Sequence, residues 1–219
     1  MAAEYSKVLG KAITDSTLRA MPAYAGKTIT QKDRATVAAL LLKGASQDQN
    51  SSVVQQYTEQ LKKELAAAGL GAGPSTVCVI HNLTGDTVTF ATSHVWDKPA
   101  VPPVLKDIEN GQTLVFMNKE THGTAVVYRG KNSAREECDW MLSWSNLNWD
   151  GKSVSKAYTE INAAHHYDTT DVWDAIGKLL DVSSSSSTAT WNGCVSDVTI
   201  ASGAPSPILN AYLTLAEGA

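Results

Sequence analysis

Between Thr30 and Ala68 apolar positions recur with the period of an amphipathic helix, and from Thr76 onward they alternate with polar ones as in half-buried strands. Thr30-Gln31-Lys32-Asp33 reads as an N-cap with an acid three residues on, ahead of RATVAALLLK and a terminating Gly44. A second helix is predicted over VVQQYTEQLKKELAAAG, with Val54, Tyr57, Leu61 and Leu65 on one stripe and Lys62, Lys63 and Glu64 off it. Residues 30–68 therefore predict an α-hairpin, bordered by an irregular arm over 1–28 and a small-residue linker over 69–75.

The second part reads as a series of short strands separated by turn residues. Val77–Ile80 and Thr87–Phe90 flank Asn82-Leu83-Thr84-Gly85-Asp86, a hairpin loop by its composition. GQTLVFMNKE, TAVVYRG, DWMLSWSN and KAYTEI follow, and then Asp168-Thr169-Thr170-Asp171 caps VWDAIGKLLD, whose Val172, Trp173, Ile176, Leu179 and Leu180 share one side. Ser183–Ser187 reads as a low-complexity loop, and strands near Val195–Ile200 and Ile208–Leu215 close the pattern. The expected fold is α+β and mainly β: an antiparallel β-sandwich with an N-terminal helical hairpin and one inserted helix, divided into residues 1–75 and 76–219.

Composition narrows the function. A net charge of −4 speaks against a nucleic-acid partner, which requires a clustered basic face. The longest apolar run, Val37–Leu42, is too short to span a bilayer. The N-terminal segment lacks the apolar stretch of a secretory signal, so the expected location is cytoplasmic. Three widely spaced cysteines, Cys78, Cys138 and Cys194, fit buried free thiols better than a disulfide framework.

The chemistry-bearing patterns are few. There is no nucleophile elbow, no phosphate loop and no dinucleotide fingerprint. His165 and His166 are adjacent and point apart on an extended segment, which is poor metal geometry, so neither a metal nor a cofactor is expected. Glu136, Glu137 and Asp139 read as a solvated acidic loop, Arg129-Gly130-Lys131 as a turn able to offer two cations, and His81, His94 and His122 as solvent-facing residues at strand ends. One segment stands apart: Cys138–Asp150, CDWMLSWSNLNWD, holds three of the six tryptophans in thirteen residues. Strand alternation places Trp140, Leu142 and Trp144 on one face, suited to the core. Asn146–Gly151 reads as a turn, and an indole there offers a flat apolar face and one N–H donor to a ligand. The candidate binding residues are Trp144, Asn146, Asn148, Trp149 and Tyr158.

Six stretches carry a family likeness: AGKTITQKDRATVA, NLTGDTVTF, VYRGKN, ECDWMLSWSN, TWNGCVSDV and SPILNAYLTLAEG. The chain resembles the plant 23 kDa jasmonate-induced protein family over nearly its whole length. That resemblance implies a cytosolic plant protein induced by jasmonate, wounding or salt, and it supplies no catalytic residue. The order of strands and turns is also similar to the cytolysin-type β-sandwich of actinoporins, aegerolysins and certain fungal fruit-body lectins, in whose membrane-binding members an aromatic-rich turn after a central strand holds the lipid headgroup; fold by itself does not fix function. The expected role is non-catalytic recognition in stress or defence, with a carbohydrate or lipid headgroup and a membrane surface as the expected partners. A pore-forming protein that releases an N-terminal helix is the second expectation. A hydrolase built on His165, His166 and Asp168 is the third.

Overall fold

A computed structural model describes residues 6–44, 47–67, 75–96, 105–119, 122–149, 152–201 and 206–216. Among the described residues ten strands form two sheets. The six-stranded sheet runs β1 (Ser6–Leu9), β4 (Thr113–Asn118), β2 (Thr76–Leu83), β10 (Ile208–Leu215), β9 (Cys194–Ile200), β8 (Ser186–Trp191), and the four-stranded sheet runs β3 (Thr89–Val95), β5 (Thr124–Lys131), β6 (Glu137–Trp149), β7 (Lys152–Ala163). All pairings are antiparallel except that of β10 with β2, which is parallel and departs from the purely antiparallel expectation.

The core lies between the sheets. Cys78 and Ile80 of β2, Leu114 and Phe116 of β4, Val198 of β9 and Leu209, Ala211 and Leu213 of β10 meet Val126, Tyr128, Trp140, Leu142, Trp144 and Ile161 from the other sheet. Each of these strands alternates, so its intervening residues face outward, and helices cover part of both outer faces. Over the six-stranded sheet, α2 (Gln31–Gly44) buries Val37 and Ala38 beside Leu83, while α3 (Gln47–Ala67) sets Tyr57 and Leu61 on Val77, Val79, Val115 and Met117. Over the four-stranded sheet, α4 (Val172–Val182) lays Trp173 and Ile176 on Ala125, Val127 and Met141. The molecule is thus a sandwich clad by helices on both sides, and α2 and α3 each have their own cluster on the sheet.

Helix α2 starts as the capping box requires: Thr30 donates its backbone N–H to Asp33 Oδ2 at 2.8 Å, and the Asp33 N–H returns to Thr30 Oγ1 at 3.2 Å. The hydroxyl and amide of Thr30 hold the Asp33 carboxyl below its usual range. In α4, Trp173, Ile176 and Leu180 are buried as the stripe predicts, but Leu179 is exposed.

Several expectations change. The irregular N-terminal arm contains β1, whose Ser6–Leu9 pair with Phe116–Thr113, and a short helix, α1 (Asp15–Arg19), so this region completes the sandwich's own sheet. Asn82–Asp86 is not a hairpin loop, because β2 and β3 lie in different sheets and the turn carries the chain from one to the other. Gly85 fits that crossing: its φ is +84°, and a Cβ there would lie 2.1 Å from the Gln31 carbonyl oxygen. The Ser183–Ser187 loop runs directly into β8, with the Ala157 N–H donating to the Ser184 carbonyl and the Ile200 N–H to that of Ser185.

His81 is buried, not solvent-facing. It stacks on Tyr212 with ring centroids 4.7 Å apart, and its Nδ1 lies 2.8 Å from Thr113 Oγ1. Burial holds its pKa down at about 4, against about 6.5 in a free chain. The unfolded chain therefore takes up this proton near pH 6.5 and the folded chain near pH 4, so stability is full above 6.5 and falls across that window as the pH drops. The loss is of order 3 kcal/mol. Urea titrations of wild type and His81→Gln at pH 7.5 and 4.5 are expected to show a smaller acid loss in the variant.

Candidate functional site

Strands β6 and β7 outrun their sheet. Pairing of β5 with β6 ends at Thr124↔Trp144, whereas β6 and β7 continue through Ser145↔Lys156, Asn146↔Ser155, Leu147↔Val154, Asn148↔Ser153 and Trp149↔Lys152. The last five rungs form a two-stranded ribbon beyond β5. Of the predicted turn at Asn146–Gly151, Asn146 to Trp149 are strand, and residues 150 and 151 lie outside the described residues.

The three candidates whose side chains are described, Trp144, Asn146 and Tyr158, do not converge. Trp144 lies wholly within the core, edge-on to Phe116 at a centroid distance of 6.0 Å. It shares its strand face with Trp140 and Leu142, so its indole is closed to a solvent ligand in this conformation, and the core role displaces the binding role. Asn146 is also buried, donating to the Ser75 carbonyl and accepting from the Ser155 hydroxyl, both at 3.4 Å. Tyr158 is half-buried on the opposite sheet face beneath α4, where its hydroxyl donates to Glu160 at 3.0 Å. Burial first, and Glu160 next, push its pKa up to about 12. Asn148 and Trp149 occupy the final paired positions of the ribbon, and their side chains lie outside the described residues, as does Asp150.

A feature that the strand pattern leaves unannounced is apolar. Leu147 and Val154 face each other across the ribbon, and Val154 is exposed. Two positions along β7 on the same face, the Lys156 ammonium donates to the Asp181 carbonyl, which ties the base of the ribbon to the last turn of α4. That turn presents Leu179, 43% exposed, and Val182, 82% exposed. One end of the molecule therefore gathers exposed aliphatic side chains around a lysine and beside a Trp/Asn-rich strand end. The signal in the sequence was Leu179 and Val182 on an otherwise regular helix, which read as part of its buried stripe or went unmarked.

The charged groups at the other end of these strands are structural. Asp139, read as part of a solvated loop, is fully buried and directly opposite Arg129 in the β5–β6 register. Arg129 is a strand residue and not a free turn cation: its Nε donates to Asp139 Oδ1 at 2.7 Å and its Nη2 to Oδ2 at 3.0 Å. The same guanidinium reaches Asp168 at 3.2 Å, and His165 Nδ1 lies 2.6 Å from the other oxygen of that carboxylate. These partners hold the Asp168 carboxyl below its usual range, His165 first and Arg129 after it. His165 has a φ of +70°, and its N–H donates to Asp139 Oδ2 at 2.9 Å. The group fixes the turn between β7 and α4. Among the described residues, no three His, Cys, Asp or Glu side chains are gathered to hold a metal ion, and no helix is long and apolar enough to cross a membrane.

The fold and this end region define a helix-clad, two-sheet β-sandwich with one parallel strand pair and a projecting ribbon. A family model described as Nakanori-like protein matches residues 9–216, and the chain belongs to that family. It also belongs with the jasmonate-induced proteins that ECDWMLSWSN and TWNGC suggested. It is 33% identical to the 23 kDa jasmonate-induced protein of Hordeum vulgare over 183 residues, covering 78% of this chain and 80% of that one. It is 30% identical to the jasmonate-induced protein homolog of Atriplex canescens over 171 residues, covering 71% of this chain and 91% of that one. Among solved structures, the crystal structure of the lipid binding protein Nakanori matches with a TM-score of 0.72 at 23% identity, covering 94% of this chain and 99% of that chain. That likeness shows the sandwich fold.

Proposed function

We propose that the protein is a non-catalytic, stress-related recognition protein that engages a membrane lipid at its headgroup through the β6–β7 ribbon end and the adjoining turn of α4. The observation that carries this reading is the exposed aliphatic set Val154, Leu179 and Val182 around Lys156, beside the Trp/Asn-rich strand end. Aliphatic side chains at that end lose contact with water on entering the interfacial region, and the lysine between them suits an anionic headgroup. The lipid-binding protein that shares the fold, and the jasmonate-induced relatives, support the same assignment. A non-catalytic role is consistent with the titratable groups described above, since Arg129, Asp139, Asp168 and His165 hold one another in a structural cluster. The pore-forming alternative asks α3 to leave a sheet face on which Tyr57 and Leu61 are buried, which favours recognition without insertion of that helix.

Co-sedimentation with vesicles of phosphatidylcholine alone, and with added sphingolipid or anionic lipid, tests the proposal, with entrapped dye followed in parallel. Saturable binding without leakage is expected. Val154→Asp and Val182→Asp each remove an aliphatic contact of about 1.5 kcal/mol, so each is expected to weaken binding roughly tenfold, and Trp149→Ala to weaken it in the same direction. Unchanged affinity in all three variants, with native circular dichroism, would remove the site. Competition by free oligosaccharide would instead assign the recognition to the sugar of a glycolipid, and leakage lost on deletion of α3 would restore the pore-forming reading.

A further inference from the structure

The two sheets approach each other through a pair of thiols. Cys138 lies near the start of β6 in the four-stranded sheet, and Cys194 opens β9 in the six-stranded sheet. Both are fully buried, and their sulfurs are 3.7 Å apart, although 56 positions separate them in the chain. Cys78 is also buried, on β2, with its sulfur directed to the Thr76 carbonyl at 4.0 Å. We infer that Cys138 and Cys194 form a redox couple that closes to an intramolecular disulfide joining the two sheets, with Cys78 as a bystander.

The geometry asks for little. A disulfide needs its sulfurs at about 2.05 Å, so the two must close by roughly 1.7 Å, which small χ1 rotations of two unbranched side chains supply. The chain between them holds β6, β7, α4 and β8, so the bond ties both ends of the segment that carries the ribbon. The inference stands on this juxtaposition and does not depend on the lipid reading.

With a small disulfide such as oxidised glutathione as oxidant, one thiol loses its proton and its sulfur attacks the oxidant. That forms a protein–glutathione mixed disulfide and releases one glutathione thiolate. The second cysteine, losing its own proton, attacks the protein sulfur of that mixed disulfide and expels the second glutathione thiolate. Two protein thiols are oxidised, one oxidised glutathione is reduced to two thiols, and the two protons end on the two glutathiones. The attacking species is a thiolate, and the hydrogen bond to Cys194 together with burial holds the Cys138 thiol far above its usual range. The folded chain is therefore slow to react, and the state of the couple is set while the chain folds.

The test uses the full chain, unfolded in reductant and then refolded with either reduced or oxidised glutathione. Oxidised refolding is expected to give a mass lower by about 2 Da, a linked Cys138–Cys194 peptide after digestion, a native tryptophan spectrum and a higher Tm. Already folded, reduced protein given the same oxidant is expected to form the bond at least tenfold more slowly. Cys78→Ser is expected to leave the linkage intact, and Cys194→Ser to abolish it while keeping the fold. A linkage involving Cys78, glutathione retained on the wild-type chain, or an oxidised product without the native spectrum would each overturn the inference.

Discussion

Trp144→Ala is expected to destabilise the protein by about 3–5 kcal/mol, the range for emptying a fully buried aromatic site. The indole is sealed between the sheets, with Phe116 edge-on at 6.0 Å and Leu142 beside it on β6. Its neighbours are anchored on two hydrogen-bonded sheets, so the cavity cannot collapse cheaply. Trp144→Phe keeps an aromatic ring against Phe116 and is expected to cost less than the alanine variant. Urea unfolding followed by far-UV circular dichroism measures both. If the alanine variant lost vesicle binding at unchanged stability, Trp144 would be a ligand residue and the core placement would not describe the working protein.

The second large effect is expected at Arg129. Arg129→Met leaves the Asp139 carboxylate fully buried opposite a side chain with no donor, and breaking a buried pair in this way costs about 3–5 kcal/mol. One further contact goes with it, because the same guanidinium holds Asp168, which in turn holds His165 at the turn into α4. The decisive comparison is the double variant Arg129→Met with Asp139→Leu, which removes both charges together. It is expected to recover most of the loss, since a well-packed apolar pair substitutes for an ion pair at little cost. A single variant as stable as wild type would mean that water reaches Asp139 in solution.

Much of the fold was legible because it rests on local rules. Thr30 and Asp33 cap α2 through bonds three residues apart, and period-two alternation marked β2, β4, β5, β6, β7, β9 and β10. What escaped depends on partners distant in the chain. Asp139 reads as solvent-facing beside Glu136 and Glu137 until Arg129 is set across from it, and His81 reads as a strand-end polar residue until Tyr212 and Thr113 close over it. β1 is only four residues long, and β8 is rich in Ser and Thr, so neither carries an apolar alternation strong enough to stand out. The end region proposed for recognition overlaps the segment that stood out in the sequence but is built from other side chains. The segment after Trp144 is a distinctive end of the molecule, yet strand parity turns Trp144 and Asn146 inward and Tyr158 to the opposite sheet face, while the exposed aliphatics come partly from α4, more than twenty residues further along.

The parallel seam between β2 and β10 has a consequence for how the chain is assembled. β10 sits between β2 and β9, so it alone joins the β1–β4–β2 half of the large sheet to the β9–β8 half. From Leu83 to Ile208 the ribosome must add 125 residues before that seam can form. Throughout that interval the growing polypeptide carries β2 with at least one bare edge, a row of unpaired amides and carbonyls open to any passing strand. Such non-local pairing is slow to form. Until β10 emerges, a newly made chain therefore carries an open strand edge that the finished sheet no longer shows.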